Sequence, residues 1–390
     1  MKKLFAEERG KPNFVSEQEM LRLLANSKRV FLLEPNVKRK YLPSGLAKVS
    51  GYLKAHGCDV AYGRYFSYSK KRYDLVCLTT CFTYDSAYVH EAIRGVRAID
   101  TDVPILVGGV YATLMPEHLC AGHKNLFIFK ACSPVLDMQP PDYSLDYKLS
   151  GEFAKYSYLV TTRGCPNNCK YCAVNKLEPR LWINPDWKSL IVDDRPYVML
   201  SDNNLTAFVK KKNHFANVME YLAALGKPVM FNNGVDNKFV TVGMADMLAS
   251  VVYRPGGLRL AFDRIVEDGI FQVAVERLLS AGVPQRSIFI FVLYNFDDTP
   301  KEAHYRMQEC DRLGVWGYPE RFIPLDAVSR KPMYVSSNWT ANLVRAFFEY
   351  WMFKGNRRFS FEDFIIKRYN RGLRVSNRFN ERDWEKWESC

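Results

Sequence analysis

The sequence has no apolar run long enough to cross a bilayer. Its longest, around "SIFIFVLYNF" (287–296), is far short of the roughly 20 residues a spanning helix needs. The opening "MKKLFAEERGKPNF" has charges where a secretory signal requires an apolar stretch. Both absences point to a cytoplasmic protein with no membrane partner. Histidine is scarce, at six residues in 390, and none stands in a D-x-H-x-x-G pattern. The ten cysteines form no disulfide framework. Cys58, Cys77, Cys81, Cys120, Cys132, Cys310 and Cys390 are scattered, mostly in apolar segments, and read as small buried hydrophobes. No recognisable RNA-binding module is present.

What is present is a globular composition: 48% hydrophobic and 14% aromatic residues over a length that suggests two domains. The net charge of +13 permits an acidic partner such as RNA, a nucleotide or an acidic peptide, and equally describes a solvated basic surface. The chain is expected to act as a monomer.

Residues 1–28 read as a polar helical lead-in. Over 29–131, near-continuous apolar runs alternate with helical patterns: "RVFLLEP", a helix from Ser44 with Leu46, Val49 and Leu53 on one face, "CDVAYGR", "YDLVCLTT", a helix from about Asp85 to Ile99, "VPILVGGVYAT" and "LFIFKA". This alternation predicts a doubly wound, Rossmann-like parallel sheet covered on both faces. Residues 132–155, rich in Pro, Asp, Ser and Tyr without periodicity, read as a linker.

A second series follows over 156–329. Six candidate strands, "YSYLVTTR", "YVMLSD", "PVMFNN", "LRLAFD", "SIFIFVLYN" and "VWGYPERF", are spaced by about thirty residues and fit a partial (β/α)6 barrel. The helix before residue 287 is expected to bury Ile270, Val273, Ala274 and Leu278 and to close at Gly282. "TPKE" predicts a capping box: Thr299 as N-cap, Pro300 first in the helix, Glu302 closing the box. Residues 330–390, basic and aromatic, read as a helical extension whose aromatics serve packing, with substrate clamping as the alternative.

"TTRGCPNNCKYC" (161–172) puts Cys165, Cys169 and Cys172 within eight residues. Clustered thiolates ligate zinc or an iron–sulfur cluster. Structural zinc needs a closed set of four. The nearest other candidates, His214 and Cys132, are distant in sequence and belong to no second knuckle. An iron–sulfur cubane accepts three cysteines and keeps one iron open.

C-x3-C-x2-C with Tyr171 before its last cysteine, preceded by "TTRGCP", resembles the radical S-adenosylmethionine (SAM) superfamily. The resemblance covers roughly residues 30–325. It implies a [4Fe–4S] cluster on Cys165, Cys169 and Cys172, with SAM on the open iron, reduced by a donor such as flavodoxin or ferredoxin. Reductive cleavage of SAM would then start hydrogen abstraction from a substrate. It further implies that Asp202 and Asn203 meet the SAM amine, that Asn232, Asn233 and Asp263 meet its ribose or the substrate, and that Arg264 pairs with its carboxylate. Helix capping and turn formation are the alternative roles of these strand-end residues.

The N-terminal domain is similar to the cobalamin-binding class of the superfamily, through "YLPSGLAKVSGYL" and "ILVGGVYATLMPEH". Gly108 and Gly109 would admit a corrin edge or its nucleotide; tight packing is the other explanation. The domain reads as shortened, because "LFIFKA" runs straight into the Pro-rich segment without a last helix. Cobalamin-dependent methylation is therefore one expected activity. Cobalamin-free radical modification of a small molecule, peptide or RNA is another, and an iron–sulfur protein that does not cleave SAM a third. A second set of cluster cysteines is absent, which argues against methylthiolation.

Overall fold

The computed structural model describes residues 11–68, 72–130, 132–149, 151–208, 213–370 and 378–389. It is an α/β structure built on parallel sheets. Two compact units divide it, Met1–Asn203 with Leu325–Arg330, and Asn204–Pro324 with Lys331–Cys390. The Pro-rich segment 132–155 lies inside the first unit.

The first unit begins with β1 (Asn13–Phe14), α1 (Glu17–Ala25), β2 (Arg29–Leu33), α2 (Ser44–Ala55), β3 (Asp59–Gly63), β4 (Leu75–Thr80), α3 (Ser86–Ile99), β5 (Ile105–Gly109), α4 (Val110–Leu114), α5 (Pro116–Cys120), β6 (Leu126–Ile128) and α6 (Pro134–Asp137). The strands pair in parallel in the order β1-β6-β5-β4-β2-β3. Side chains alternate between two cores because successive strand residues face opposite ways. Phe31, Leu33, Val76, Leu78, Ile105 and Val107 pack on the α3–α5 face. Val30, Leu32, Leu75, Cys77, Leu106 and Phe127 pack on the α1–α2 face.

The lead-in does more than precede this sheet. β1 adds a strand beside β6, with Asn13 opposite Phe127. Helix α1 starts at a capping box between Ser16 and Glu19 and buries Met20 and Leu24 in the core that holds Leu106, Phe127 and Leu136. Helix α1 thus covers the same face of the sheet as α2. After β6 only the four-residue α6 forms.

The unit continues with β7 (Tyr156–Leu159), β8 (Thr162–Arg163), α7 (Val174–Leu177), β9 (Trp182–Ile183) and β10 (Tyr197–Leu200). β7 and β10 pair in parallel. The expected single strand 156–163 is broken. Asn184 binds this bend twice: its amide donates to the Thr161 carbonyl (2.8 Å), and its side chain donates to the Val160 carbonyl (3.1 Å). The chain bends out there, and β8 pairs antiparallel with β9 instead.

The second unit has α8 (His214–Leu225), β11 (Val229–Phe231), α9 (Val242–Ala249), β12 (Tyr253–Ala261), α10 (Ile270–Ser280), β13 (Ile288–Tyr294), α11 (Pro300–Arg312), β14 (Trp316–Arg321), α12 (Ala341–Met352), α13 (Phe361–Ile365) and α14 (Glu381–Glu388). β11 to β14 pair in parallel, in chain order. The capping box of α11 forms as expected, with Thr299, Pro300 and Glu302 in their places. Helix α10 is rotated from the expected face: Phe271, Ala274, Val275 and Leu278 are buried, while Ile270 and Val273 are each 41% exposed. Both sets have helical spacing, and the stacking of Phe271 on Phe262 belongs to the observed one.

The C-terminal extension is helical at α12, α13 and α14, and most of the aromatics on these helices pack. Tyr350, Trp351, Phe361 and Trp387 surround the His304 ring at centroid distances of 5.0 to 5.7 Å. Among the described residues no helix is long and apolar enough to cross a membrane. Cys77, Cys120 and Cys310 are buried as expected, whereas Cys58, Cys81 and Cys132 are only partly so; Cys390 lies outside the described residues.

Candidate functional site

The three-cysteine loop is closed at its base. β8 and β9 pair Arg163 with Trp182, so residues 164–181 leave and return at one point. Gly164 makes the first turn at φ +87°, and a Cβ there would stand 2.7 Å from the Arg180 carbonyl oxygen. Only glycine suits both the conformation and the approach. The Gly164 amide donates to the buried Glu178 carboxylate at 2.7 Å. Further along, the Cys172 amide donates to the Cys169 carbonyl at 3.0 Å, which closes the C-x2-C turn. Cys165 and Cys169 are half-buried and Cys172 exposed, and none is in a disulfide.

Among the described residues no three His, Cys, Asp or Glu side chains stand close enough to share one metal ion. The three thiols are therefore not gathered as a single-ion set. Their donor chemistry is all soft sulfur, spread along one closed loop. Soft thiolate donors of this kind suit either an iron–sulfur cluster or a zinc ion. Tyr171 lies within the C-x2-C turn, half-buried.

Beneath the loop, Asp202 is 4% exposed. Its Oδ1 accepts from the Thr161 amide (3.0 Å) and hydroxyl (2.7 Å) and from the Thr162 amide (2.5 Å) and hydroxyl (2.6 Å); Oδ2 also accepts from the Thr161 amide. Burial raises its pKa, against these bonds, which lower it. Its observed work is to hold the two threonines at the entrance to the loop, and the physical reason is that burial leaves a carboxylate needing donors, which the bent chain at 161–162 supplies. Asn203 follows it in the same unit.

A buried ion network stands beside the loop. Arg163 donates to both Asp137 oxygens (2.8 and 2.7 Å) and to Glu178 (2.6 Å), and Lys48 donates to Asp137 at 2.7 Å. Burial disfavours the Asp137 charge, yet Lys48 and Arg163 outweigh it and bring its pKa down to about 2. Burial lowers the Lys48 pKa, against the pull of Asp137. Burial pushes the nearby Cys132 thiol up to about 11 despite Arg163, which keeps it protonated. The segment read as a linker thus supplies the centre of the network.

That network walls a cavity of about 220 Å³. Ser44 and Gly45 at the start of α2, Thr79 near the end of β4, and Gly108 and Gly109 at the end of β5 line it. This is the C-terminal edge of the sheet, beside the switch between β4 and β2, where open α/β sheets bind ligands. Gly109 has φ +106°, and a Cβ there would fall 2.1 Å from the Thr80 carbonyl oxygen, so packing alone requires this glycine. At Gly108 the nearest atom to an added Cβ is 3.9 Å away. No histidine lines the cavity.

No family model and no curated protein sequence matches the chain.

In the second unit, the strand-end residues are engaged with one another. Asn232 accepts from Arg259 through its side-chain oxygen (2.7 Å) and its carbonyl (2.9 Å) and donates to Asn233 at 3.2 Å. Asp263 accepts from the Leu293 amide at 3.1 Å, bridging β12 to β13. Arg264 pairs with Glu267 at 3.3 Å. Asn232, Asp263 and Arg264 each make a turn or sheet-end contact of this kind. Arg163, Asp137, Lys48 and Glu178 escaped sequence reasoning. The one signal was Lys48, a charge between the apolar positions Leu46 and Val49 of an otherwise inward-facing helix segment.

Proposed function

We propose that this chain is a radical SAM enzyme. The observation that carries the reading is the stapled loop with three thiols, none in a disulfide. Cys165, Cys169 and Cys172 would hold a [4Fe–4S] cluster. When bound, that cluster with SAM on its open iron supplies the one-electron cleavage and the radical that abstracts hydrogen. The chain's own residues do the positioning. Asp202 pins Thr161 and Thr162 at the loop entrance. Glu178 holds the Gly164 amide, and Arg163 ties the ribbon to Asp137. The parallel strands β11 to β14 belong, in this reading, to a partial (β/α)6 barrel. A reduced flavodoxin or ferredoxin would supply the electron, and the cytoplasm would keep the thiols reduced.

The cavity at the end of β4 and β5 favours a corrinoid-dependent form of the reaction, methyl transfer to carbon or phosphorus. Its volume suits a ligand's tail rather than a whole cofactor, and its lining is largely apolar. Lacking a histidine, it would leave cobalt without a protein imidazole ligand.

The test is anaerobic reconstitution with iron and sulfide, then dithionite and SAM, with and without hydroxocobalamin. Formation of 5′-deoxyadenosine is expected, and Cys165→Ala, Cys169→Ala and Cys172→Ala should each abolish the cluster absorbance. A stable cluster that yields neither 5′-deoxyadenosine nor S-adenosylhomocysteine would leave an iron–sulfur protein without SAM chemistry.

A further inference from the structure

A second cavity, of about 580 Å³, lies at the same edge of the first unit's sheet. The end of β1, the end of β6, the start of α6 and the stretch Leu177–Trp182 beyond the third cysteine enclose it. It shares Phe129, Cys132, Asp137 and Arg163 with the smaller cavity, so the buried ion network forms a common wall. Its volume is that of a site for a whole small molecule.

The charges lining it are not equally engaged. Each carboxylate is occupied within the protein. Asp137 takes Lys48 and Arg163, and Glu178 takes Arg163 and the Gly164 amide. Glu17 accepts from the Ser133 hydroxyl and the Val135 amide at the start of α6. Of the three cations, Arg163 is consumed by two carboxylates. Lys130 and Arg180 have no carboxylate partner among the described residues; Lys130 sits 3.9 Å from the centre of the Phe14 ring. Phe14, Leu181 and Trp182 add apolar surface to the same lining. Glu17 meets only neutral donors and so offsets one of the two exposed cations, which leaves a single unmatched positive charge beside walls of half-exposed apolar side chains.

We propose that this cavity binds a small molecule with one anionic group, carboxylate or phosphate, on a flat apolar body. Lys130 and Arg180 pair with the anion, and Trp182 and Phe14 cover the body. That this molecule is the target of the radical rests on the reading above; its binding does not. The N-terminal segment is then part of the binding site, because β1 and the first turn of α1 form one wall.

Isothermal titration of the full chain with 1-naphthoate, 1-naphthyl phosphate, 1-naphthol and inorganic phosphate tests this. At least one of the two anionic naphthyl probes should bind about tenfold or more tighter than naphthol, and which one does so identifies the anion. Lys130→Met with Arg180→Met should remove that advantage, and Arg180→Lys should restore part of it. Trp182→Ala should weaken the anionic probes and naphthol together. Both Lys130 and Arg180 can be replaced without touching a buried ion pair, and circular dichroism checks the fold of each variant. Equal binding of naphthol and the anions, an unchanged double variant, tighter binding of inorganic phosphate than of both naphthyl anions, or no binding by any probe overturns the proposal. The titrations are repeated on the Cys165→Ala chain, where binding should persist. Failure of the cluster chemistry and failure of this site are thereby read separately.

Discussion

Asp202 binds Thr162 twice, through the amide at 2.5 Å and the hydroxyl at 2.6 Å, and so joins the end of β10 to the entrance of the three-cysteine loop. The contact spans forty residues of sequence and is fully buried. It ties the geometry of the loop to the parallel β7–β10 pair beneath it.

Asp202→Ala should therefore loosen the loop before it unfolds the chain. Removing an acceptor shared by four donors is expected to cost about 2–3 kcal/mol in stability. The more telling measurement is iron retained per chain after reconstitution and desalting, which should fall well below that of the wild type. Thr162→Val should show the same effect more weakly, at about 1 kcal/mol. Unchanged iron retention in both variants would separate this anchor from the loop.

Asp137→Ala leaves Lys48 and Arg163 buried without their shared carboxylate. Loss of one partner from a buried pair costs about 3–5 kcal/mol, and urea midpoints should register it. Lys48→Met with Asp137→Leu, which removes a charge of each sign, is expected to be milder than Asp137→Ala alone. Arg163 still keeps Glu178 in that variant.

Gly108 and Gly109 should behave differently despite adjacency. Gly109→Ala forces a side chain into a left-handed conformation and against the Thr80 carbonyl, so a severe loss of thermal stability is expected. Gly108→Ala meets nothing closer than 3.9 Å and should fold normally. It adds a methyl group along the cavity wall, so hydroxocobalamin binding, followed by its absorption spectrum, should weaken selectively. Normal binding to this variant would remove Gly108 from any corrinoid site.

His90 hydrogen-bonds His123 at 2.7 Å and the Tyr111 hydroxyl at 3.0 Å. Burial, then the neighbouring His123, His118 and Arg94, lower its pKa to about 4. The folded state thus prefers the neutral ring, while the unfolded chain takes up a proton near 6.5. The stabilising contribution is complete above pH 6.5 and is lost as the pH falls to about 4. Melting temperatures across that window should drop less in His90→Gln than in the wild type. A proton resonance of His90 that titrates near 6.5 would contradict the assignment.

Much of the fold was legible because it depends on local chemistry. Apolar runs such as "RVFLLEP" and "YDLVCLTT" could bury both faces only in a covered sheet, and "TPKE" started α11 where capping chemistry places it. The face of α10 was not legible, since two apolar sets with helical spacing overlap in "IFQVAVERLLS" and packing on Phe262 selects between them. Nor was the break at Val160, which follows from side chains at Asn184 and Asp202 that no local pattern connects to it.

The candidate site divides in the same way. The spacing of Cys165, Cys169 and Cys172 is a property of the chain alone, and the proposal of metal chemistry starts from it. Their support is not. Asp137 lies in a segment without periodicity and Lys48 in a helix, and burial makes partners of them with Arg163 because isolated charges cannot stay in the interior. The N-terminal residues 13–25 read as a lead-in, and only the sheet's uncovered face gave them a place in the core. Local spacing determined which groups could do the chemistry; the cost of burying charge and leaving apolar surface bare decided what stands around them.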